Sequence, residues 1–327
     1  MLEHIWYKRS LLTWILWPLS CLFALIVKAR RRRFISQPQR RYRSPIAVII
    51  VGNISVGGNG KTPVVLALCE FLKAKGYHPG VVSRGYGGNA EGALEVTPQT
   101  SAALSGDEPL LIRLRSQCPV VVCSNRPQAA RLLIEQYPQC DVIIADDGMQ
   151  HYPLERDVEI CVVDAARQFG NGFCLPAGPL REPLSRLQSV DRIISNGGCL
   201  KNYSSDLMSL TPTQWRRVSD GKIVDQSLTP KDGIAFAGIG HPERFYQTLQ
   251  NLGITLNGYI DVGDHGRLSD AQITQYQNQQ LLMTEKDALK YQNKAGEHWY
   301  YLCVNAKLPD DFYQFILQRL ESFYATR

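Results

Sequence analysis

The sequence lacks the cysteine and histidine patterns of metal-binding modules. Its nine cysteines include no C-x-x-C pair and no histidine partners at zinc-finger spacing, which argues against a structural zinc site. Several cysteines lie in apolar, strand-like runs such as EICVVD, so we expect reduced thiols in the core of a cytosolic protein. Repeats and low-complexity segments are also missing, and 44% hydrophobic with 20% charged residues is the composition of a globular protein.

Acidic residues are scarce at the beginning of the chain. Residues 1–43 hold ten Lys or Arg and one acid, Glu3, whereas the other 284 residues hold 26 basic and 29 acidic groups. A nucleic-acid-binding protein usually spreads positive charge over a folded face. Here the basic residues are confined to one end beside an apolar run, so we expect an anionic phospholipid surface as a partner, and no nucleic acid.

The apolar run, Leu11 to Val27, has 17 residues without a charge. As a helix it is about 26 Å long, at the lower limit for crossing a bilayer. Because it ends in KARRRR, a cleaved signal peptide is not expected. Length alone does not exclude a buried helix of a soluble protein, but the flanking arginines and tryptophans favour a membrane anchor over residues 1–33. The anchor either spans the bilayer or lies in its interface, and the arginines place the following domain on the cytoplasmic side.

A phosphate-binding loop is predicted directly after the first strand. The run IAVIIVG (Ile46 to Gly52) is typical of a buried parallel strand, the stretch SVGGNGKTP follows it, and residues 62–75 have helical spacing. Strand, loop and helix give the context that a P-loop requires, although Ser55 stands where the general pattern has its first glycine. We expect backbone N–H groups of the loop and the Lys61 ammonium to bind nucleotide phosphates, and the Thr62 hydroxyl to bind Mg²⁺. The other loop residues in this prediction are Gly57, Gly58, Asn59 and Gly60.

A pair of carboxylates follows a later apolar strand. In DVIIADDGMQH, Asp146 and Asp147 stand at the carboxyl end of that strand. Turn or helix-capping aspartates are common at such places. Two adjacent acids downstream of a P-loop nevertheless favour a Mg²⁺ site. Arg84 in VVSRGYGG and Asp107 in SGDEP occupy similar strand-to-helix turns, where each taken alone has an ordinary structural explanation, a surface ion pair or a helix cap.

The alternation of strands and helices predicts an α/β fold with a mostly parallel, P-loop NTPase-like sheet and helices on both faces. We expect a P-loop domain over residues 34–197, a linker with a possible hairpin over 198–231, and a smaller α/β domain over 232–327. His265 lies in a polar loop of this last domain, and a lone loop histidine is more often solvent-exposed than catalytic. The stretch TEKD (Thr284 to Asp287) has its lysine one place too late for a guanine selector, which favours ATP.

Taken together, the motifs resemble those of the tetraacyldisaccharide 4'-kinases, the lipid A 4'-kinases of Gram-negative bacteria. The matching pieces are the N-terminal anchor, VGNISVGGNGKTP, SRGYGG, GDEP, DDGMQH, LPAGPLREP, FAGIGHPERF, GDH and TEKD. The resemblance implies transfer of the γ-phosphoryl group of ATP, with Mg²⁺, to the 4'-hydroxyl of a lipid A disaccharide precursor at the inner membrane. It also implies Asp107 as the catalytic aspartate paired with His265, and Lys61 and Thr62 in P-loop roles. By the same resemblance Asp146 and Asp147 hold the metal and Arg84 helps to hold phosphate.

Two other functions stay open from the residues alone. One is a membrane-associated P-loop GTPase or ATPase that acts as a switch, and the other is a scaffold with a degenerate nucleotide fold. The switch needs a guanine selector, a metal-binding cluster or a partner surface, and the sequence offers none that we recognise. The intact Gly60-Lys61-Thr62 and the Asp146-Asp147 pair argue against the scaffold. The sequence indicates no particular oligomeric state.

Overall fold

The fold is built on one continuous sheet. The structure is a computed structural model that describes residues 2–8, 10–263 and 266–326. In chain order its strands are β1 (Ala47–Gly52), β2 (Pro79–Ser83), β3 (Leu94–Glu95), β4 (Val120–Val122), β5 (Val142–Asp146), β6 (Val158–Asp164), β7 (Arg192–Asn196), β8 (Asp206–Arg217), β9 (Asp232–Ala237), β10 (Thr255–Asp261), β11 (Leu281–Thr284) and β12 (Trp299–Lys307). They lie in the order β10-β9-β11-β12-β8-β7-β6-β1-β5-β2-β4-β3.

Helices cover both faces of this sheet. They are α1 (Leu2–Tyr7), α2 (Leu11–Ser36), α3 (Lys61–Ala74), α4 (Ala102–Ser105), α5 (Asp107–Ser116), α6 (Arg126–Gln136), α7 (Pro242–Asn251), α8 (Asp270–Tyr276), α9 (Glu285–Ala288) and α10 (Asp310–Ala325). Short 3₁₀ turns occupy Pro38–Arg40, Leu184–Ser189 and Gln226–Leu228. The predicted α/β fold with a mostly parallel sheet is therefore confirmed.

The first strand lies at the centre of the parallel part of the sheet. β1 pairs in parallel with β5 on one side and β6 on the other, and each of its residues is buried. Ala47, Ile49 and Val51 face one core, which includes α3, α5 and α10, while Val48 and Ile50 face the other, which includes α6. Burial on both faces explains why the strand is a continuous apolar run rather than an alternating one.

A long strand, β8, joins the two halves of the sheet. The first half contains β1 to β7, and the second half contains β9 to β12. The first residues of β8 pair in parallel with β7, and the remainder pairs antiparallel with β12 over Ser209 to Arg217. This strand lies inside the 198–231 segment, for which the sequence predicted a linker with a possible hairpin. Its exposed and buried residues do not alternate cleanly, because it is a connection between two cores rather than the wall of one.

The long N-terminal helix α2 is apolar on its outer surface. Ser10 caps it in a capping box with Thr13, and the helix contains Pro18. Thr13 and Ser20 are buried against the body, whereas Leu11, at 78% exposure, and most other large apolar side chains of the helix face outward. By length and composition α2 is able to cross a membrane.

Substitution of a core residue in the last helix, α10, tests whether this helix is packed on the sheet. Ile316 of α10 is fully buried in the same core as β1 and α3. We expect Ile316→Ala to lower the free energy of unfolding by about 2–5 kcal/mol, because it leaves a cavity in a packed core. Urea unfolding of the purified chain measures this. The matched control Gln318→Ala, at an exposed position of the same helix, should change it by less than about 0.5 kcal/mol; equal effects of the two substitutions would contradict the packing.

Candidate active site

The phosphate loop is shaped by two glycines with positive φ. Gly57 has φ 93° and Gly60 has φ 91°, and Gly60 is the N-cap of α3. A Cβ at Gly60 would lie 2.4 Å from Asn196 Nδ2, which itself donates a hydrogen bond of 3.1 Å to the carbonyl of Asn59. Only glycine satisfies both the backbone conformation and the close contact. The N-terminus of α3, with Lys61 as its first residue, is therefore open to an anion.

Ser55 takes the place of the expected first glycine and stabilises the loop. The residue is buried, and its Oγ accepts a hydrogen bond of 3.2 Å from Asn59 Nδ2. The same amide donates a second hydrogen bond of 3.2 Å to the carbonyl of Gly57. A side chain at position 55 thus closes the turn internally, which a glycine could not do.

The aspartate pair lies beside this loop, at the edge where β1 and β5 end. Asp146 pairs with Val51 in the parallel register, and Asp147 follows it with φ 49°. Lys61 Nζ lies 3.4 Å from Asp147 Oδ1, and Arg181 Nη1 donates to both carboxylate oxygens of Asp147 at 3.2 and 3.1 Å. Arg181 belongs to the LPAGPLREP motif, to which the sequence assigned no role, so its contact with Asp147 is new information from the structure.

Burial and neighbouring charges separate the pKa values of the two carboxyls. Burial raises the pKa of Asp146 to about 7, with Glu108 adding to the rise and Lys61 opposing it. Burial also acts to raise the pKa of Asp147, but the cations of Lys61 and Arg181 outweigh it and hold that pKa below its ordinary value.

The donor set at this edge fits Mg²⁺. Asp146 Oδ2 accepts a hydrogen bond of 3.1 Å from Ser83 Oγ, while Asp146 Oδ1 is buried with no hydrogen-bond partner among the described residues. An orphaned buried carboxylate oxygen beside Asp147, next to the P-loop, is what a hard cation requires. No group of three or more His, Cys, Asp or Glu side chains with metal-binding geometry occurs in the described part of the chain. Mg²⁺ is commonly held by one or two carboxylates plus substrate phosphates.

Two side chains, Arg126 and His151, form hydrogen bonds that hold the backbone of the aspartate pair in place. Arg126 Nη2 donates to the carbonyl of Asp146 at 3.2 Å, and burial lowers the pKa of Arg126 to about 10. His151 Nε2 accepts from the Arg126 N–H at 3.2 Å, and burial together with Arg126 lowers the pKa of His151 to about 3. His151 is thus neutral at physiological pH and acts as an acceptor. Arg84 is exposed at the end of β2, and its charge contributes to both pKa shifts.

Asp107, the predicted base, is the buried first residue of α5. Its Oδ2 lies 3.7 Å from Lys290 Nζ, which comes from the segment after α9. Glu108, next in the chain, is 2.9 Å from Lys286 Nζ. The GDEP and TEKD motifs, 178 residues apart, therefore meet in space. His265 lies outside the described residues, so its pairing with Asp107 stays a prediction.

A cleft of 240 Å³ lies between the phosphate loop and the second half of the sheet. From the first half of the sheet it is lined by Gly58, Asn59, Gly60, Lys61, Thr62 and Glu108, and from the second half by residues that include His241, Arg244, Phe245, Lys286 and Leu302. Arg167 spans its mouth, donating to the carbonyls of Gly58 and Gly240. A larger cavity of 390 Å³ lies further along α3 and, unlike the smaller cleft, is not lined by the phosphate loop. The chemistry therefore favours the smaller cleft.

Comparisons with known proteins match one family over nearly the whole chain. Residues 12–321 match the family model described as Tetraacyldisaccharide-1-P 4'-kinase. The chain is 47% identical to the tetraacyldisaccharide 4'-kinase of Aeromonas salmonicida over 331 residues, which covers 100% of this chain and 98% of the relative. It is 48% identical to that of Haemophilus influenzae over 306 residues, covering 93% and 91%. A crystal structure of an "apo" form of LpxK from Aquifex aeolicus in complex with ATP superposes with a TM-score of 0.79 and 28% identity, covering 95% of this chain and 100% of that chain.

The raised pKa of Asp146 predicts how the stability of the folded protein depends on pH. An acid whose folded-state pKa is raised stabilises the fold only while it is protonated, so its contribution is lost as the pH rises towards 7. We therefore expect Asp146→Asn to raise the Tm of the nucleotide-free protein by more at pH 8 than at pH 5, as measured by thermal unfolding without divalent cations. Asp232→Asn, at an exposed carboxyl, should show no such difference between the two pH values. A gain for Asp146→Asn that is equal or smaller at pH 8 would count against a destabilised buried carboxylate.

Proposed function

The chain belongs to the tetraacyldisaccharide-1-P 4'-kinase family, and on this premise we propose that it transfers the γ-phosphoryl group of ATP to the 4'-hydroxyl of a tetraacylated glucosamine disaccharide 1-phosphate, a step of lipid A biosynthesis. The observation that carries the proposal is the cleft in which Lys61 of the phosphate loop and Glu108 of the GDEP helix line the same volume. Nucleotide phosphates and an acceptor hydroxyl can meet there.

Within this proposal the nucleotide is held mainly by the loop and α3. The N–H groups of residues 57–62 and the partial positive charge of the helix N-terminus attract the phosphates. The Lys61 ammonium group moves away from Asp147 and contacts the β- and γ-phosphate oxygens. Arg181 continues to neutralise Asp147. Thr62, Asp146 and Asp147 are the residues that would hold Mg²⁺, which when bound neutralises charge on the transferred phosphoryl group.

Residues of the GDEP helix α5 act on the acceptor hydroxyl. Asp107 accepts the proton of the 4'-hydroxyl as the oxygen attacks the γ-phosphorus in line with the leaving group. By the family resemblance, His265 keeps Asp107 in register. Since little covalent chemistry is asked of the protein, positioning and charge neutralisation provide most of the catalysis. Closure of the cleft excludes water and limits hydrolysis of ATP.

Phosphate transfer is tested with labelled ATP. Purified protein, γ-labelled ATP, Mg²⁺ and the lipid A disaccharide precursor in detergent should give labelled lipid. Asp107→Asn should lower turnover by roughly 10²–10⁴-fold, the usual contribution of a general base. The control Asp232→Asn at an exposed position should leave turnover unchanged. Labelled phosphate released without labelled lipid would instead support the nucleotide-switch alternative, and near wild-type turnover of Asp107→Asn would remove Asp107 from the mechanism.

The N-terminal helix supports a place on the cytoplasmic face of the inner membrane. α2 is fastened to the body along most of its length: Trp14 packs on Phe173 with ring centroids 6.0 Å apart, Ser20 Oγ donates to the carbonyl of Cys174 at 2.6 Å, and Arg31 Nη2 donates to Ser189 Oγ at 2.9 Å. A helix attached in this way lies in the interface rather than crossing the bilayer alone. Its outward apolar side chains enter the lipid, and the exposed cations at its end meet anionic headgroups. These cations are Lys28, Arg30, Arg32 and Arg33.

Vesicle binding tests the anchor. Ile15→Glu with Leu22→Glu places charge at two outward positions of α2, which are 63% and 55% exposed. We expect the affinity for vesicles that contain anionic phospholipid to fall by a factor of about ten or more, because burial of each such side chain in lipid contributes about 1.5–3 kcal/mol. Sedimentation measures binding, and Gln247→Glu with Gln250→Glu on the exposed side of α7 is the charge-matched control. Equal binding of both variants would contradict an interfacial anchor.

A further inference from the structure

A buried lysine joins the two halves of the sheet next to the predicted base. The Lys290 side chain is 0% exposed. Its Nζ donates to Asp287 Oδ1 at 2.8 Å and to the carbonyl of Gly266 at 3.1 Å, and lies 3.7 Å from Asp107 Oδ2. An ammonium group with no access to water is stable only among negative partners. Here one partner lies on its own side of the cleft and the other lies across it.

Asp287 is itself fixed. This carboxylate is fully buried, and its Oδ2 accepts from the N–H of Gly238 at 3.0 Å and from Thr284 Oγ1 at 2.6 Å. Thr284 is the N-cap of α9, so the cap, the carboxylate and the ammonium form one hydrogen-bonded unit. The unit fixes Lys290 from the second half of the sheet and leaves little freedom for its ammonium group.

We propose that Lys290, oriented by Asp287, is a positioning residue for Asp107; the assignment rests on Asp107 acting as the base of the function proposed above. At 3.7 Å the pair is beyond hydrogen-bond distance but within ion-pair distance. Two of the three ammonium donors are used by Asp287 and Gly266. We expect the third to reach Asp107 when the cleft closes on nucleotide, since an approach of less than about 1 Å brings the two atoms within hydrogen-bond distance. Lys290 thus fixes the carboxylate that must meet the sugar hydroxyl.

The neighbouring ion pairs give the TEKD segment the same role. Lys286 Nζ lies 2.9 Å from Glu108 Oε1, and Arg115 Nη1 lies 2.5 Å from Glu285 Oε2. Together with Lys290 and Asp107, these are three contacts of opposite charge between α5 and the α9 segment. The TEKD segment does not match a guanine selector. In the folded protein it is the part of the second half of the sheet that holds the GDEP helix α5 in position through ion pairs.

The test removes both charges of the unit together. Lys290→Met alone leaves Asp287 buried without its cation, so the informative variant is Lys290→Met with Asp287→Asn. The exposed ion pair of Lys294 with Asp270, at 2.9 Å, supplies the matched control Lys294→Met with Asp270→Asn. The measurements are the Tm of each full-length variant, and kcat and KM for ATP in transfer of labelled phosphate to the lipid precursor. We expect the first variant to fold and to show kcat lowered about 10–100-fold with an unchanged KM for ATP, the size of effect that misplacement by about 1 Å produces. The control should match the wild type.

A second measurement separates positioning from a general loss of structure. The same double substitution is made in the Asp107→Asn background and followed in single-turnover reactions with enzyme in excess. Because the unit acts through Asp107, we expect it to lower transfer by less than about threefold there. The same loss with or without Asp107, an unchanged kcat, or a raised KM for ATP at unchanged kcat would overturn the role of Lys290 while leaving the proposed function intact. No labelled lipid from the wild type would overturn the proposed function, and the role of Lys290 with it.

Discussion

Parallel pairing of β1 with β5 and β6 is the constraint on which the rest of the site depends. Parallel strands end at one edge of a sheet, so the segments that follow them are brought together whatever their distance in the chain. The phosphate loop follows β1, the Asp146-Asp147 pair closes β5, and Asp164 closes β6. Asn196, at the end of β7, donates to Asn59 and so links a fourth strand end to the loop. Burial of β1 on both faces fixes its register, and with it the distance between Lys61 and Asp147.

The charges at this edge are arranged for a ligand rather than for stability. Asp146 is buried with one oxygen unpartnered, and its raised pKa is the sign of a carboxylate that lacks compensation in the protein alone. Asp147, in contrast, is compensated by Lys61 and Arg181. In the proposed function a cation and nucleotide phosphates complement both groups, since the cation would satisfy Asp146 and the phosphates would take Lys61 from Asp147. Strain of this kind at a functional site is offset by the packed cores on either side of the sheet.

Sequence reasoning succeeded where the determinants are local. The apolar run of β1, the glycines with positive φ and the helical spacing of α3 lie within 30 consecutive residues, so the P-loop and the α/β fold could be predicted from pattern alone. The departure at Ser55 needed the structure, because the hydrogen bond from Asn59 that explains it is a property of the folded loop. β8 and the contact of Lys290 with Asp107 had no periodic signal, since both depend on which segments the sheet brings together. The spacing of Asp287 and Lys290, three residues apart in the chain, is a local sign of the buried pair.

The position of the anchor connects the membrane to the chemistry. Ser20 of α2 donates to the carbonyl of Cys174, and the chain then runs through Leu180, which bridges to Ser55, to Arg181, which binds Asp147. One short segment thus receives helix α2 at its beginning and, at its end, contacts a carboxylate that we propose to be part of the Mg²⁺ site. A substrate whose acyl chains stay in the bilayer can present its sugar only at a fixed height above the lipid. In the proposed function, an anchor docked on the segment that carries Arg181 sets the height of the phosphate site by the same contacts, so that membrane binding and alignment of the acceptor become one structural requirement.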